Sequence, residues 1–280
     1  MLLSLNIIFL TRTFAEKYRT DSNYIVDATG PAHYAAAAYC FTSLASQWNC
    51  RNHCSAPETK GSVVVGNAQS LTLGVFGSVT FNPHKNVITA AFRGTLNVQN
   101  MISNTFAILV PLGMTNVPNS SGALVHSGFL ANYMAVRSQI KTLLKKAIEQ
   151  HPDYKIQFVG HSMGGTLSKL AALDAYYSLG KQRQIVEYSF NSPRLGNYAL
   201  MNALKFPMHR FTQGPDIVSR LPPTAILFQH PNVAEHWEHN NIFYTCDKAE
   251  SPDCSNSILT PYFSPLDHLK FGKIQFGPVC

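Results

Sequence analysis

The sequence lacks internal repeats, low-complexity tracts and long runs of like charge, and its Pro and Gly residues are spread along the chain rather than gathered into a linker. These absences exclude a repeat architecture and favour a single domain over residues 16–280. Lys and Arg number 22 against 15 Asp and Glu, giving a net charge of +7, but the basic residues are scattered. We therefore expect no nucleic-acid partner. The charge indicates a solvated surface or, alternatively, attraction to anionic lipid or fatty-acid interfaces.

Long apolar runs are missing after the start of the chain. Nothing beyond Met1–Leu10 approaches the roughly 18 to 20 apolar residues that span a bilayer, so we expect a soluble protein without a transmembrane anchor. This apolar start is followed by Thr13-Phe14-Ala15, which resembles a secretory cleavage site, although no basic residue follows Met1. We predict that residues 1–15 are a signal or its remnant, and that the protein is secreted, extracellular and monomeric.

The cysteines lack the spacing of a metal site. Neither a Cys-x-x-Cys pair nor a His pair at ligand spacing accompanies them, which makes zinc the weaker alternative. They form an even set of six, which favours three disulfides in an oxidising compartment. Their positions are Cys40, Cys50, Cys54, Cys246, Cys254 and Cys280.

Strand and helix patterns alternate along the chain. Two β-rich runs, Val75–Phe81 and Val87–Phe92, are joined by a turn and predict a hairpin, and Val63–Val65 predicts a strand before it. Apolar residues at three- and four-residue spacings predict a helix over Phe129–Ile148. A second helix is expected from about Thr166 to Leu179, and the other expected strands are Lys155–Val159, Ile185–Phe190, Met208–Thr212 and Asn241–Cys246. This alternation predicts an α/β fold with a central, mostly parallel sheet flanked by helices.

The segment from Gly160 to Gly165 contains Gly-x-Ser-x-Gly between a predicted strand and a predicted helix. Such a turn lifts a serine hydroxyl to the end of the sheet in a strained conformation, and its glycines let strand and helix approach closely. The context makes chance occurrence of the pattern an inadequate explanation. Ser162 is therefore the candidate nucleophile.

A serine hydroxyl needs a base, and in this fold the chain order is Ser, then Asp or Glu, then His. His268 lies in a loop after the last predicted strand, where the base of such an architecture belongs. His236 and His239 are the alternatives, and they would otherwise occupy a solvated loop.

Asp216 is the candidate acid. It follows the strand ending at Thr212 through a turn, which places it at the carboxyl edge of the sheet, where catalytic loops collect. The competing acids are expected to be solvated or structural, or to lie in a polar loop between two cysteines: Asp174, Glu187, Asp247, Glu250 and Asp253.

Two donors for the developing oxyanion are expected. One is the backbone N–H of Met163, and the other is Thr95, in the run Phe92-Arg93-Gly94-Thr95 that ends the hairpin. An ordinary turn with Arg93 in an ion pair is the alternative interpretation of that run.

These residues resemble the fungal class 3 lipases, which have the α/β-hydrolase fold. The resemblance runs from about Tyr39 to the C-terminus, and its landmarks are Phe92–Thr95, Val125–Phe129, Gly160–Gly165, Asn191–Gly196, Asp216–Pro223 and Asp267–Leu269. It implies the triad Ser162, Asp216 and His268, the oxyanion donors Thr95 and Met163, and the disulfides Cys40–Cys280, Cys50–Cys54 and Cys246–Cys254. No cofactor or metal is implied.

Fungal members usually place a short helix after the oxyanion loop, with Asn-Trp and an Asp three residues beyond the Trp. Here Met101 follows Asn100, and Asn104 takes the place of the acid. The apolar segment around Met101, Ile102 and Phe106 is nevertheless expected to act as a lid or to touch an oil interface, with a core strand or loop as the alternative.

The tail resembles most the secreted mono- and diacylglycerol lipases of Malassezia-type yeasts. This resemblance implies hydrolysis of partial glycerides at a lipid–water interface through an acyl-enzyme. Phe228, Trp237 and Leu269 are the candidate pocket residues, with core packing as the alternative for Trp237. A feruloyl-type or other carboxylesterase is the nearest alternative function, and a non-catalytic lipid-binding protein is the alternative of another class.

Overall fold

A computed structural model describes residues 17–40, 47–96, 107–118, 120–180, 183–259 and 262–278. The helices within them are α1 (Ser22–Ala37), α2 (Ser127–Gln150), α3 (Met163–Leu179) and α4 (Tyr198–Ala203). The strands are β1 (Lys17–Arg19), β2 (Val63–Ser70), β3 (Val75–Asn82), β4 (Val87–Phe92), β5 (Leu109–Pro111), β6 (Leu124–His126), β7 (Lys155–His161), β8 (Ile185–Phe190), β9 (Met208–Gln213), β10 (Glu235–His239), β11 (Ile242–Cys246), β12 (Lys270–Phe271) and β13 (Ile274–Gln275). The predicted signal, the lid residues Met101, Ile102, Asn104 and Phe106, and Cys280 lie outside the described residues.

The large sheet has nine strands in the order β1-β11-β10-β9-β8-β7-β4-β3-β2. Its centre, from β4 through β7, β8 and β9 to β10, is parallel. Both flanks are antiparallel, because β2, β3 and β4 are joined by hairpins on one side, and β10 and β11 on the other. The expected mostly parallel sheet is therefore found at the centre, and the sheet as a whole is mixed.

Helices cover both faces of the parallel centre. Alternate residues of a strand point to opposite faces, and Ala90 of β4 and Phe158 of β7 pack in the core beneath α2 and α3. Their neighbours Ala91 and Val159 pack with α1 in a second core. The central strands are consequently buried on both sides, as parallel strands require.

Most predicted elements are present, and several of them have longer bounds. The hairpin β3–β4 is confirmed, and the helix predicted over Phe129–Ile148 extends to Ser127–Gln150. The helix predicted from about Thr166 begins at Met163, directly after Ser162. Two of the implied disulfides, Cys50–Cys54 and Cys246–Cys254, are formed. Four cysteines are therefore unavailable to zinc.

Candidate active site

The strand β7 leads into helix α3 through a single residue, Ser162. Its backbone has φ 57° and ψ −131°, a conformation that non-glycine residues seldom adopt and that is typical of a nucleophile on a strained turn. The turn is tight enough that a Cβ at Gly160 would collide with the Gly164 carbonyl group, and a Cβ at Gly164 with the Phe92 carbonyl. Glycine at these two positions is thus what allows α3 to begin this close to β7 and β4.

The Asp216 carboxylate lies beside the His268 imidazole. The distance between Asp216 Oδ1 and His268 Nδ1 is 3.0 Å, and both side chains are buried. The backbone N–H groups of Val218 and Ser219 also donate to the carboxylate, to Oδ1 at 2.9 Å and to Oδ2 at 3.2 Å. Three donors therefore hold the carboxylate, and the carboxylate in turn fixes the hydrogen of the imidazole on Nδ1.

The loop that carries His268 is attached to the end of β8. Asn191 follows β8 with φ 49°, and its side-chain amide donates to the carbonyl oxygens of His268 at 2.8 Å and of Lys270 at 3.0 Å. His161 binds the same loop from the end of β7, since its Nε2 lies 2.6 Å from the His268 carbonyl oxygen. The structure thus brings the loop of His268 onto the turn that contains Ser162.

The expected oxyanion donors lie next to each other. Met163 is the first residue of α3, so its backbone N–H has no acceptor within the helix. The Thr95 hydroxyl lies 3.4 Å from the Met163 sulfur, and the Asn132 amide also donates to that sulfur at 3.1 Å. A thioether is a weak hydrogen-bond acceptor. The Thr95 hydroxyl can therefore leave the Met163 sulfur for a stronger acceptor, such as an oxyanion, with little loss of free energy.

Of the three predicted pocket residues, Leu269 is exposed, whereas Phe228 and Trp237 are buried. Leu269 is 38% exposed beside His268, and Phe228 is fully buried with its ring 5.8 Å from that of His126. Trp237 lies in strand β10 rather than in a loop, and its ring packs in the core with the Cys246–Cys254 disulfide. The pocket role predicted for Trp237 is therefore wrong. Its indole N–H instead donates to the Gly214 carbonyl at 2.9 Å, which supports the turn before Asp216.

The competing acids have structural partners. Asp174 on α3 receives hydrogen bonds from Tyr133 at 2.8 Å and from Arg137 at 2.7 Å. Glu187 in β8 is fully buried with Lys169, whose ammonium lies 3.6 Å from Glu187 Oε1. Glu250 pairs with Arg194 at 2.8 Å. These three carboxylates are engaged away from the His268 imidazole.

The alternative bases do not lie in a solvated loop. His236 and His239 are both in strand β10. The His236 ring lies against the Tyr24 ring at a centroid distance of 4.1 Å, tilted by 34°, and its Nδ1 lies 3.0 Å from the Thr245 hydroxyl. The expectation of a solvated loop is therefore wrong. Burial, followed by the charges of His209 and Arg210, lowers the pKa of His236 to about 4.

The low pKa of His236 predicts a pH dependence of stability. Between about pH 4 and 6.5 an unfolded chain protonates this histidine and the folded protein does not, so stability falls as the pH falls through that window. In His236→Gln, this slope should become shallower by up to ~1.4 kcal/mol per pH unit. Denaturant unfolding across the window measures it, with the exposed His84→Gln as the control. Parallel curves for His236→Gln and the unaltered protein would contradict the assignment.

Comparison with known proteins agrees with this geometry. A model of the class 3 lipase family matches residues 89–226. The lipase of Rhizomucor miehei is 32% identical over 254 residues, which cover 87% of this chain and 67% of that lipase. The chain belongs to the class 3 lipase family. A second relative, secreted mono- and diacylglycerol lipase 1 of Fusarium solani, is 31% identical over 211 residues, 73% of this chain and 60% of its own length.

A solved triacylglycerol lipase, whose catalytic centre is formed by a serine protease triad, has the same fold as this class 3 lipase. The TM-score is 0.85 at 30% identity, covering 95% of this chain and 100% of that one. The chain spans 67% of the length of the Rhizomucor miehei lipase and 60% of the length of the Fusarium solani lipase. Among the described residues of this class 3 lipase, no helix is long and apolar enough to cross a membrane.

Two residues bind the loop of His268 in this class 3 lipase, and the sequence indicates them only as parts of motifs. Asn191 opens the run Asn-Ser-Pro-Arg, and His161 precedes the nucleophile in Gly-His-Ser. Their position is the available signal, since His161 ends a buried strand and Asn191 directly follows one, both at the carboxyl edge of the sheet. Both residues are more than 75 positions away from His268 in the sequence. No local pattern therefore predicts their hydrogen bonds to its carbonyl oxygen.

Proposed function

We propose that this protein is a secreted serine lipase that hydrolyses acylglycerol esters, preferably mono- and diacylglycerols, to fatty acid and glycerol. Ser162 is the nucleophile, His268 the base and Asp216 the acid that orients the base. The observation that carries the proposal is the buried hydrogen bond of 3.0 Å between Asp216 and His268, on a loop attached to the turn of Ser162. Membership of the class 3 lipase family supports the same assignment.

The two atoms that would exchange a proton are available for substrate. Ser162 Oγ and His268 Nε2 are both buried, and neither has a hydrogen-bond partner among the described residues. Buried polar atoms are normally satisfied, so two unsatisfied atoms at one site suggest a functional role. Because Nδ1 of His268 donates to Asp216, Nε2 is the acceptor of the neutral imidazole.

The reaction follows from this arrangement. Ser162 Oγ attacks the ester carbonyl while its proton passes to His268 Nε2, and the oxyanion receives hydrogen bonds from Met163 N–H and Thr95. The imidazolium then protonates the departing glycerol oxygen, leaving an acyl group on Ser162. Water, deprotonated by His268, attacks the acyl-enzyme and releases the fatty acid.

Apolar side chains around the site support a lipid substrate. Leu96, directly after Thr95, is 61% exposed, and Leu266, two residues before His268, is 78% exposed. Ile226 and Leu227, in the segment after Asp216, are 46% and 65% exposed. Exposed apolar groups on the segments that carry a site are typical of a surface that meets lipid.

A substrate panel tests the proposed function. We expect hydrolysis of mono- and diolein, slower hydrolysis of triolein, and no comparable hydrolysis of a feruloyl ester under identical conditions. Ser162→Ala provides the blank. Preferential release of ferulate would favour the feruloyl-type esterase, and the absence of both hydrolysis and stoichiometric labelling by an organophosphorus reagent would favour a non-catalytic lipid-binding protein.

A further inference from the structure

A chain of buried hydrogen bonds runs beneath the candidate nucleophile. The Tyr39 hydroxyl lies 2.6 Å from Nδ1 of His161, and Nε2 of His161 lies 2.6 Å from the carbonyl oxygen of His268. Tyr39 is 5% exposed, and His161 and His268 are completely buried. The chain therefore connects the turn after helix α1 to the loop of the candidate base through buried groups.

The direction of each hydrogen bond in this chain is fixed. A carbonyl oxygen only accepts, so Nε2 of His161 carries the hydrogen. Burial, together with the neighbouring His268, holds the pKa of His161 well below its usual range, which keeps the imidazole neutral. Nδ1 is then an acceptor, and the Tyr39 hydroxyl must donate to it.

The chain begins against the oxyanion loop. The Gly94 backbone lies directly against the phenol oxygen of Tyr39, and Gly94 directly precedes Thr95. A side chain at position 94 would collide with the Tyr39 hydroxyl, and it would also crowd the His161 carbonyl and Ser162 Cβ. Three segments thus meet around the Tyr39 phenol and the His161 imidazole. They are the oxyanion loop, the turn of Ser162 and the loop of His268.

Packing alone does not require these polar atoms. The His161 ring stacks on Phe276 at a centroid distance of 4.0 Å and an interplanar angle of 14°, a contact that phenylalanine would also make. Burying a polar ring is less favourable than burying an apolar ring of the same shape unless its hydrogen bonds are satisfied. Both ring nitrogens of His161 make hydrogen bonds here. Their partners are the Tyr39 hydroxyl, which lies against the oxyanion loop, and the carbonyl oxygen of the candidate base His268.

We propose that Tyr39 and His161 are positioning residues that hold the His268 backbone in register with the oxyanion loop, so that base and oxyanion donors act on the same carbonyl group. The inference rests on the proposed function. Neither residue touches the substrate; both act through the main chain of His268 and Gly94. Displacing a catalytic group by about 1 Å can cost up to ~100-fold in rate, so loss of these hydrogen bonds should lower kcat.

The decisive comparison uses two replacements of His161. In His161→Gln, the amide can still donate to the His268 carbonyl while its oxygen accepts from Tyr39, whereas His161→Phe keeps the stacked ring and loses both hydrogen bonds. We expect kcat on a water-soluble ester to fall at least about tenfold in His161→Phe, with KM unchanged, and to recover in part in His161→Gln. A packing role predicts the opposite order, and that result would overturn the proposal.

Tyr39→Phe removes one oxygen and provides a second test if His161→Phe does not fold. We expect a similar fall in kcat with unchanged KM. The matched control is Tyr34→Phe, because Tyr34 lies near the end of helix α1, is 2% exposed and loses a comparable buried hydrogen bond, 2.6 Å to the Ser62 hydroxyl. A purely structural effect would lower the melting temperature of both variants and leave kcat at 25 °C unchanged in both, which would contradict the proposal.

Titration with an organophosphorus serine reagent separates this inference from the proposed function. If the unaltered protein neither hydrolyses esters nor is labelled at Ser162, the proposed function fails. If it does both and Tyr39→Phe is labelled at the same rate with unchanged kcat, only the positioning role fails. Slower but stoichiometric labelling of Tyr39→Phe and His161→Phe is the expected result.

Discussion

Ser162→Ala should reduce ester hydrolysis by about 10⁶-fold and leave the fold intact. The hydroxyl oxygen is the atom that forms the acyl-enzyme, and no other described side chain occupies the turn between β7 and α3. Alanine keeps the Cβ, so the backbone strain of φ 57° is unchanged. The variant also loses a buried hydroxyl that has no hydrogen-bond partner among the described residues, so its free energy of unfolding should be equal or higher.

A second serine offers a matched control for this prediction. Ser255 is 2% exposed, and its hydroxyl also has no partner among the described residues. Ser255→Ala removes the same group from a comparable environment and should leave kcat within twofold. Turnover of Ser162→Ala above one thousandth of the original rate would contradict the nucleophile assignment, as would equal loss of activity in the two variants.

Asp216→Asn should lower kcat by about 10⁴-fold, the loss typical of this change in a serine triad. The carboxylate accepts from His268 on Oδ1 and from the backbone N–H groups of Val218 and Ser219. An amide has only one acceptor oxygen, so in either orientation its NH₂ faces one of these donors. If it faces His268, the imidazole must carry its hydrogen on Nε2 and can no longer take the proton of Ser162.

The neighbouring carboxylate is the control for Asp216→Asn. Asp267 is adjacent to His268 in the chain, but it pairs with Lys270 at 2.7 Å in a partly exposed position. Exposed ion pairs contribute little, so Asp267→Asn should retain kcat within about threefold. A decrease of less than tenfold for Asp216→Asn, measured in the same assay, would place the acid elsewhere.

The nucleophile turn and its flanking elements could be predicted because their signals are local. Gly-x-Ser-x-Gly is decided by backbone sterics within five residues, and the apolar spacing before Ile148 is decided by the helix period alone. The turn Asn82–Asn86 between two β-rich runs likewise fixes the hairpin. Each of these features would form with the same geometry in many tertiary settings, which is why the sequence indicates them.

The missed elements depend on distant partners. Helix α1 contains Gly30 and Pro31 and has little apolar periodicity, so only its packing against β7 and β8 distinguishes it from a loop. Strand β10 has the sequence Glu-His-Trp-Glu-His. Its buried Glu235 is compensated by Thr212 at 2.6 Å and Arg210 at 3.3 Å on the neighbouring strand. No local pattern indicates that such a polar segment lies in a sheet.

Strand β1 has a consequence for the order in which this molecule assembles. It is hydrogen-bonded to β11, and the adjacent hydroxyls of Thr20 and Thr245 meet at 2.8 Å across 225 residues of chain. During synthesis the first of these partners emerges long before the second, and contacts of such high sequence separation form late. Until they form, β11 presents an open edge to other chains. Docking of β1 replaces this five-residue edge with a three-residue one, so a nascent chain is most exposed to edge-to-edge pairing before its own β1 docks.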